Sequence, residues 1–271
     1  MKMDSLTISD NRFSWHRTGM TAAFYYPRVK WQIIFYPVVA MLLSLLSALL
    51  IKHQFPILLA SPLNSIVTWM VYLGPLFLLN RSSREVETML PATAKEQSVC
   101  LILYAAVLVP AITILGSWIG QTIVYGNTNP LIIFSNANLP GDTEEVKELT
   151  KAMVPYMGKS YIGGLLNLIA ATLVTLTAVV KVRKNRILMA IVFVIVYNIV
   201  TTIIGTVAML IRMFSSGFMQ LAKSGNAADE AFKNLFMSTM SETFTTIAVI
   251  AAIAIVIFIP TIYRGIKNFQ I

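Results

Sequence analysis

The sequence has little charge and few residues of the kinds that bind metals or form disulfides. Charged residues make up 12 % of the 271 residues, which is about half of their usual share in soluble domains. The single cysteine, Cys100, excludes an intramolecular disulfide and a cysteine metal cluster. The two histidines, His16 and His53, are far apart in the sequence, and we predict them at opposite membrane faces. This composition therefore argues against a soluble domain, a disulfide scaffold and a shared histidine site.

The sequence also lacks the motifs of membrane enzymes and ion-coupled carriers. It contains no H-E-x-x-H, no G-x-S-x-G and no Gly-Lys-Thr phosphate loop. Such proteins keep ionisable groups inside their spans despite the energetic cost, whereas Arg212 and Glu242 lie at span ends and are interpreted as interfacial. Glu85 and Glu87 have no histidine partner on their side except His16. We predict that the chain is not an enzyme, with no catalytic residues, no cofactor and no metal site.

Long apolar runs dominate the rest of the chain. Hydrophobic residues make up 56 % of the sequence, and several runs reach the roughly 20 residues that a helix needs to cross a bilayer. We predict an all-α integral membrane protein with six transmembrane helices. A cytoplasmic or interfacial segment at 1–29 precedes a transmembrane domain at 30–271. The predicted spans are about 31–51, 62–79, 99–125, 161–180, 187–213 and 243–262.

Three segments outside the spans have helical patterns of their own. In residues 12–29, Phe13, Met20 and Phe24 fall near one face beside Arg17, a pattern typical of a helix lying in the membrane interface. A disordered tail followed by an aromatic belt is the alternative. Residues 126–160 and 214–241 are interpreted as extracytoplasmic. The first should contain a helix at 143–153 that Pro155 ends. The second should contain two short helices around Gly225-Asn226, the later of them at 227–240.

The distribution of basic residues predicts the orientation of the chain. Of the 21 lysines and arginines, 14 fall on the side of the two termini and 7 on the other side. The positive-inside rule therefore places both termini in the cytoplasm, in a multi-pass protein of the cytoplasmic (inner) membrane. This topology and attraction to membrane lipids account for the net charge of +9 without a nucleic-acid partner.

The most distinctive polar stretch is 80–98, between the second and third predicted spans. Ser82 with Glu85 and Thr93 with Glu96 form two S/T-x-x-E capping boxes, each of which can start a helix. Pro91 lies between them and ends the first helix because it lacks an N–H donor. We therefore expect a short polar helix, a proline break and a new helix that enters the third span.

Two further features are typical of helix packing. The third span contains Gly116 and Gly120 in a Gly-x-x-x-Gly pattern, which permits close approach of another helix, either within the chain or in a dimer. Asn198 in the fifth span is positioned either to line a pathway or to donate a hydrogen bond between helices.

The 81–96 region resembles a known family. An N-terminal cytoplasmic segment, six spans and the loop pattern Arg-x-x-Glu-x-x-x-x-Leu-Pro-Ala-Thr-x-x-Glu are similar to the permease subunits of ABC-2-type transporters. The resemblance implies a coupling helix at 83–88 that docks on a separate ATPase subunit, followed by a Leu-Pro-small-Thr signature. The implied coupling residues are Arg81, Ser83, Arg84, Glu85, Glu87, Leu90, Pro91, Thr93 and Glu96.

The same resemblance implies a transport function that depends on partners. The expected assembly contains a separate ATP-binding subunit and a second permease subunit, identical or not, and the expected activity is export driven by ATP hydrolysis in the partner. The segment between the fifth and sixth spans is less apolar than the re-entrant hairpin common in the family. The competing interpretation is a non-transport membrane scaffold, regulatory or immunity protein that binds another membrane protein.

Overall fold

A computed structural model describes residues 13–53, 57–78, 92–126, 144–182, 185–215 and 229–270. Side chains are described over 13–53, 62–78, 92–126, 161–182, 185–215 and 238–268. The helices in chain order are α1 (Trp15–Lys52), α2 (Ile57–Leu73) with a 3₁₀ turn at Gly74–Leu78, α3 (Ala94–Leu103), a π-helical turn at Tyr104–Leu108, α4 (Val109–Tyr125), α5 (Glu144–Lys181), α6 (Arg186–Ser215) and α7 (Asp229–Gln270).

Among the described residues, five helices are long and apolar enough to cross a membrane. They are Trp15–Lys52, Ala94–Tyr125, Tyr161–Lys181, Arg186–Ser215 and Ser238–Asn268. A shorter apolar helix, Pro62–Leu78, occupies the place of the second predicted span. The chain is thus a helical protein with the composition of a multi-pass membrane protein.

Helix α1 is continuous across the predicted boundary between the N-terminal segment and the first span. It runs for 38 residues from Trp15 and includes Pro27 and Pro37. At 1.5 Å per residue it is about 57 Å long, roughly twice the thickness of the hydrocarbon core. The prediction of a separate helix within 12–29 is therefore corrected, because residues 15–29 belong to the same continuous helix as the first span.

Two other predicted helix breaks are also absent. Helix α5 continues through Pro155, which was expected to end a separate helix, and α7 begins at Asp229 and runs without interruption into the sixth span. Proline removes one hydrogen bond and costs about 3 kcal/mol within a helix, yet α5 is continuous at this position. In α5 and α7 the polar residues therefore mark the end of the apolar part of the helix. The helix itself continues beyond that part, to Glu144 in α5 and to Asp229 in α7.

Helix α5 lies at the centre of the bundle. Every residue from 170 to 180 is buried, and α5 contacts α2, α6 and α7 as well as the π-helical turn. The Thr175 hydroxyl donates a 2.6 Å hydrogen bond to the Tyr72 carbonyl of α2. Because hydroxyls on α5 bond to backbone carbonyls, the helix can be threonine-rich and still be buried on all sides.

Pro110 explains the irregular turn in the third predicted span. A proline at this position cannot donate to the carbonyl four residues earlier, and its ring would clash with that carbonyl. The turn Tyr104–Leu108 widens to a π-helix, so that the Val109 N–H donates to the Tyr104 carbonyl five residues earlier. The chain thereby remains helical from Ala94 to Tyr125.

Helix α1 and the run α3–α4 are parallel neighbours in a constant register. Arg17 contacts Glu96, 79 positions later, near the start of both helices. At the other end, the Tyr125 hydroxyl donates to the Ala48 carbonyl, 77 positions earlier. The number of sequence positions between contacting residues is nearly constant from one end of the pair to the other. The two helices therefore run in the same direction.

Candidate functional site

The described part of the 80–98 stretch begins with the second predicted capping box, which has the expected geometry. Thr93 is the N-cap of α3, and its hydroxyl oxygen accepts from the Glu96 N–H at 3.4 Å. In return, Glu96 Oε2 accepts from the Thr93 N–H at 2.8 Å. These reciprocal bonds satisfy two backbone donors that would otherwise be orphaned at the start of a helix.

The same carboxylate also binds the start of α1. Glu96 Oε1 accepts from the Ser14 N–H at 2.8 Å and from Arg17 Nε at 2.9 Å. Ser14 is the N-cap of α1 and makes no side-chain capping bond of its own. Glu96 therefore supplies a capping acceptor to two helices, and we call Ser14, Arg17, Thr93 and Glu96 the Glu96 clamp.

The electrostatics of the clamp favour the ionised carboxylate. The Glu96 side chain is 0 % exposed, whereas that of Arg17 is 22 % exposed. Burial alone would raise the pKa of Glu96, but hydrogen bonds from Thr93, Ser14 and Arg17, together with the charge of Arg17, bring the pKa below its ordinary value. The carboxylate also lies at the positive ends of two helix dipoles. Glu96 precedes the predicted 99–125 span and so lies at the polar end of the bundle. There, hydrogen bonds from Thr93, Ser14 and Arg17 compensate the cost of burying its carboxylate.

Seven of the nine predicted coupling residues lie outside the described residues, as does the first capping box. They are Arg81, Ser83, Arg84, Glu85, Glu87, Leu90 and Pro91. Thr93 and Glu96 are the two predicted coupling residues that the structure describes, and they lie together in the clamp. The described end of the 80–98 stretch is therefore held against the start of α1.

Gly116 and Gly120 lie against α1 of the same chain. A Cβ on Gly116 would overlap the Pro37 carbonyl, and a Cβ on Gly120 would overlap the Met41 carbonyl. Each glycine is 79 positions after its contact, the separation that also joins Arg17 to Glu96. The close approach that the pattern predicts is thus made within the chain, and it continues the attachment of α1 to α3–α4 into the membrane.

A buried polar node connects α1, the π-helical turn and the end of α2. Gln32 is 1 % exposed, and its Nε2 donates to the Gly74 carbonyl at 3.2 Å. The Tyr104 hydroxyl donates to Gln32 Oε1. A Cβ on Gly74 would come within 2.6 Å of the Val109 side chain, so glycine permits the close approach of these elements. The node holds α2 against the α1–α3 pair.

Asn198 makes its hydrogen bond within its own helix. Its Nδ2 donates to the Val194 carbonyl at 2.8 Å, one turn earlier on α6. The bond between helices at this level is made by its neighbour, because the Tyr197 hydroxyl donates to Asn167 Oδ1 of α5 at 2.9 Å. At the end of α6, Arg212 Nε lies 3.2 Å from Glu242 Oε2 of α7, which joins the two residues interpreted as interfacial.

Sequence reasoning missed the partners of Glu96 and the polar node. Arg17 was expected to lie along an interfacial helix, and Gln32 and Tyr104 were absorbed into apolar spans. The register of α1 against α3–α4, a separation of 79 positions, could not be predicted from either apolar run alone. It depends on which side chains of the two helices pack together in the folded chain. The one sequence signal is that Arg17 and Glu96 both fall about one turn after a helix start.

The described residues contain no group of three or more histidine, cysteine, aspartate or glutamate side chains arranged to hold a metal ion. Comparison of the chain with protein-family models, with curated proteins and with solved structures finds no match.

Proposed function

We propose that the chain is the transmembrane permease subunit of an ABC-type exporter, driven by a separate ATPase subunit that docks on the 80–98 cytoplasmic loop. The observation that carries the proposal is the Glu96 clamp. The residue that starts the helix after the loop is bonded to the first turn of α1. A displacement of the loop would therefore be transmitted to two long helices at once.

The parallel arrangement of α1 and α3–α4 supports six crossings. Two parallel neighbours that both cross the bilayer need a return crossing between them, and α2 with its 3₁₀ turn occupies that place. Its 17 α-helical and 5 3₁₀ residues give a length of about 35 Å, enough for a hydrocarbon core of about 30 Å. We therefore assign Ile57–Leu78 as the second span.

The orientation follows from the charge distribution. With six crossings both termini lie on one side, where 14 of the 21 basic residues are found. We propose on this basis that the 80–98 loop and the Glu96 clamp lie on the cytoplasmic side of the inner membrane, where ATP is available. Arg28 is consistent with this orientation. Its guanidinium lies 4.5 Å from the ring centroid of Phe24, one turn back toward the N-terminus, as a snorkelling arginine would.

Force would pass from the loop to the bundle by a defined route. The clamp fixes α1 to the start of α3, the Gly116 contact with Pro37 fixes the middle, and the Tyr125 bond to Ala48 fixes the far end. We therefore expect α1, α3 and α4 to move together as one rigid body when the ATPase subunits close around ATP. Helix α5, at the centre of the bundle, packs against the π-helical turn of this unit, and α6 and α7 pack on α5.

The source of energy would lie in the partner. Among the side chains that the structure describes, the carboxylates are those of Glu96 and Glu242, and each is ion-paired to an arginine of another helix. Both are used to join helices, so neither serves as a proton or cation carrier in this arrangement. Helix α6 presents a long apolar face to its surroundings, including Ile195, Ile199 and Ile203. Lipid or the second permease subunit would cover this face.

The proposal is tested by purifying the tagged chain from membranes of the organism that makes it and measuring vanadate-sensitive ATPase activity. The loop variant reverses the charges of Arg81, Arg84, Glu85 and Glu87. The control variant reverses Lys147 and Lys151, which lie on the opposite predicted side of the membrane. We expect the wild type and the control to retain the ATPase and the loop variant to lose it, because charge complementarity selects the partner.

Two outcomes would contradict the proposal. If no ATPase accompanies the wild-type chain, or if the loop variant keeps as much activity as the control, the loop is not an ATPase-docking element. Purification of a different membrane protein, dependent on the same four charges, would favour the scaffold, regulatory or immunity function instead.

A further inference from the structure

Four basic residues lie where α5 ends, α6 begins and α7 ends. Lys181 is the last residue of α5 and Arg186 is the first of α6, while Arg264 and Lys267 lie in the last two turns of α7. Lys181, Arg264 and Lys267 are exposed. We call these four residues the basic cluster. It is separate from the Glu96 clamp and from the 80–98 loop.

Helix packing holds two members of the cluster close together. A Cβ on Gly265 of α7 would lie 3.5 Å from the Lys181 Cγ and 2.7 Å from the Val180 side chain. Because consecutive Cα atoms are about 3.8 Å apart, the Arg264 Cα lies within about 9 Å of the Lys181 Cγ. Both side chains are long and flexible, so their two charged groups can contact one anion.

The described carboxylates are too far away or too fully used to balance this pair. Among the side chains that the structure describes, Glu96 is buried in the clamp, and Glu242 is bonded to Arg212 near the opposite end of the apolar part of α7. Two neighbouring cations repel each other, and an anion between them is attracted to both. Charge complementarity therefore favours an anionic partner at Lys181 and Arg264.

The lengths of the uncharged segments place these two cations at the headgroup level of the membrane. In α5 the 20 residues at 161–180 carry no charge, and in α7 the 21 residues at 243–263 carry none. At 1.5 Å per residue the two segments are about 30 and 32 Å long, close to the thickness of the hydrocarbon core. Lys181 and Arg264 therefore lie where the phosphates of one leaflet are found.

The face of α7 that ends in Arg264 is apolar and exposed. Ile257 and Ile253 lie two and three turns before Arg264 on the same face, and they are 56 % and 55 % exposed. Exposed apolar side chains within a membrane span contact acyl chains. The face therefore offers an apolar stripe with a cation at its end, which matches the acyl chain and the phosphate of a phospholipid.

We propose that the basic cluster binds the headgroup of one anionic phospholipid, with the phosphate between Lys181 and Arg264 and an acyl chain along the apolar stripe of α7. Contact of the acyl chain with this stripe gains little hydrophobic free energy, since the lipid tails of the bilayer are equally apolar. Selectivity therefore comes from the headgroup. Clusters of lysine and arginine at the ends of membrane helices are typical sites for anionic headgroups. The inference goes beyond the proposed transport function and depends on the membrane location alone.

The experiment titrates delipidated full-length protein in detergent with phosphatidylglycerol or with phosphatidylcholine of the same acyl chains, and counts bound lipids by native mass spectrometry. We expect the first phosphatidylglycerol to bind on the order of 25-fold more tightly than phosphatidylcholine, roughly fivefold for each of two cations. Lys181→Gln and Arg264→Gln should each reduce this preference roughly fivefold, and the double variant should abolish it.

Lys30→Gln is the matched control. It makes the same change at an exposed lysine of α1, a helix whose main neighbours are α2, α3 and α4. The preference for phosphatidylglycerol should be unchanged in this variant. All of these substitutions replace exposed side chains, so the variants are expected to fold.

Equal affinity of the wild type for the two lipids would overturn the proposal. Equal losses of preference in Lys30→Gln and Lys181→Gln would also overturn it, because they would indicate a general effect of surface charge. Displacement of phosphatidylglycerol by millimolar inorganic phosphate would show that the cluster binds a free anion and not a lipid. Loss of a co-purified protein in Lys181→Gln, with the lipid preference unchanged, would assign the cluster to a protein partner instead.

Discussion

Replacing Glu96 by glutamine should release the start of α1 from the start of α3. The amide keeps the shape of the side chain but offers one acceptor oxygen, whereas the carboxylate accepts from three donors, on Thr93, Ser14 and Arg17. At least one donor therefore loses its partner, and Arg17 loses its counter-charge. Removing one member of a buried ion pair costs about 3–5 kcal/mol.

The expected cost is somewhat smaller because Arg17 is partly exposed. Its side chain retains 22 % exposure and can recover some hydration, so we expect a loss of about 2–3 kcal/mol. For a chain of this size, 1 kcal/mol corresponds to about 2–4 °C in melting temperature, which gives a decrease of roughly 5–10 °C. The single cysteine, Cys100, is buried one turn after Glu96. A fluorogenic maleimide therefore reports the opening of α3 during heating in detergent.

Glu242→Gln is the matched control for this prediction. It makes the same chemical change in an ion pair between helices, with Arg212 at 3.2 Å, but the Glu242 side chain is 62 % exposed. Exposed pairs contribute about 1 kcal/mol or less, so the melting temperature should change by only a few degrees. Equal decreases in the two variants, or a smaller decrease in Glu96→Gln, would refute the assignment of Glu96 as the clamp.

Further changes test the remaining contacts. Because the pKa of Glu96 is lowered in the folded state, its contribution is complete above the ordinary glutamate pKa of about 4.3 and is lost as pH falls through the lower folded value. The wild type, but not Glu96→Gln, should show this loss as a decrease in melting temperature with falling pH, followed by circular dichroism. Gly116→Ala should destabilise the fold by about 1–3 kcal/mol through overlap with α1, whereas Gly205→Ala, whose Cβ would meet a side chain at an ordinary 3.5 Å, should be tolerated in the same melting assay. Tyr104→Phe leaves a buried glutamine oxygen without this donor and should cost about 1–3 kcal/mol in denaturant unfolding. If the proposed function is right, Pro91→Ala should let the two predicted helices of the 80–98 stretch merge and so uncouple transport from ATP hydrolysis. Normal transport by reconstituted protein would contradict this.

The positions of the apolar runs could be predicted from the sequence, because the requirement for about 20 apolar residues acts on each run separately. The third predicted span ends at Tyr125, where α4 ends, and the fourth ends within one residue of Lys181. The Thr93–Glu96 capping box was also predictable, since its bonds join residues three positions apart. These features are local, and local patterns determine them.

The continuity of the long helices could not be predicted in the same way. The change in polarity before the first span and Pro155 suggested boundaries, but the helices α1 and α5 pass through them. The start of α1, for example, is bonded to Glu96, which lies about 80 positions later in the sequence. A contact with so distant a residue does not show in the pattern of α1 itself. For the same reason the sequence indicated Glu96 as a cap for its own helix and gave no sign of its bond to Ser14.

We propose that the 80–98 loop faces the cytosol and contacts an ATP-binding partner. The most direct measurement places a photo-reactive amino acid at position 85 of the full-length chain, irradiates intact membranes and tests the crosslinked product for labelling with 8-azido-ATP. A photo-reactive residue at position 147 is the control on the opposite predicted side. We expect a nucleotide-labelled crosslinked product with the photo-reactive residue at position 85 and none with it at position 147. Crosslinks from position 85 only within the chain, or the same nucleotide-labelled product from both positions, would contradict it.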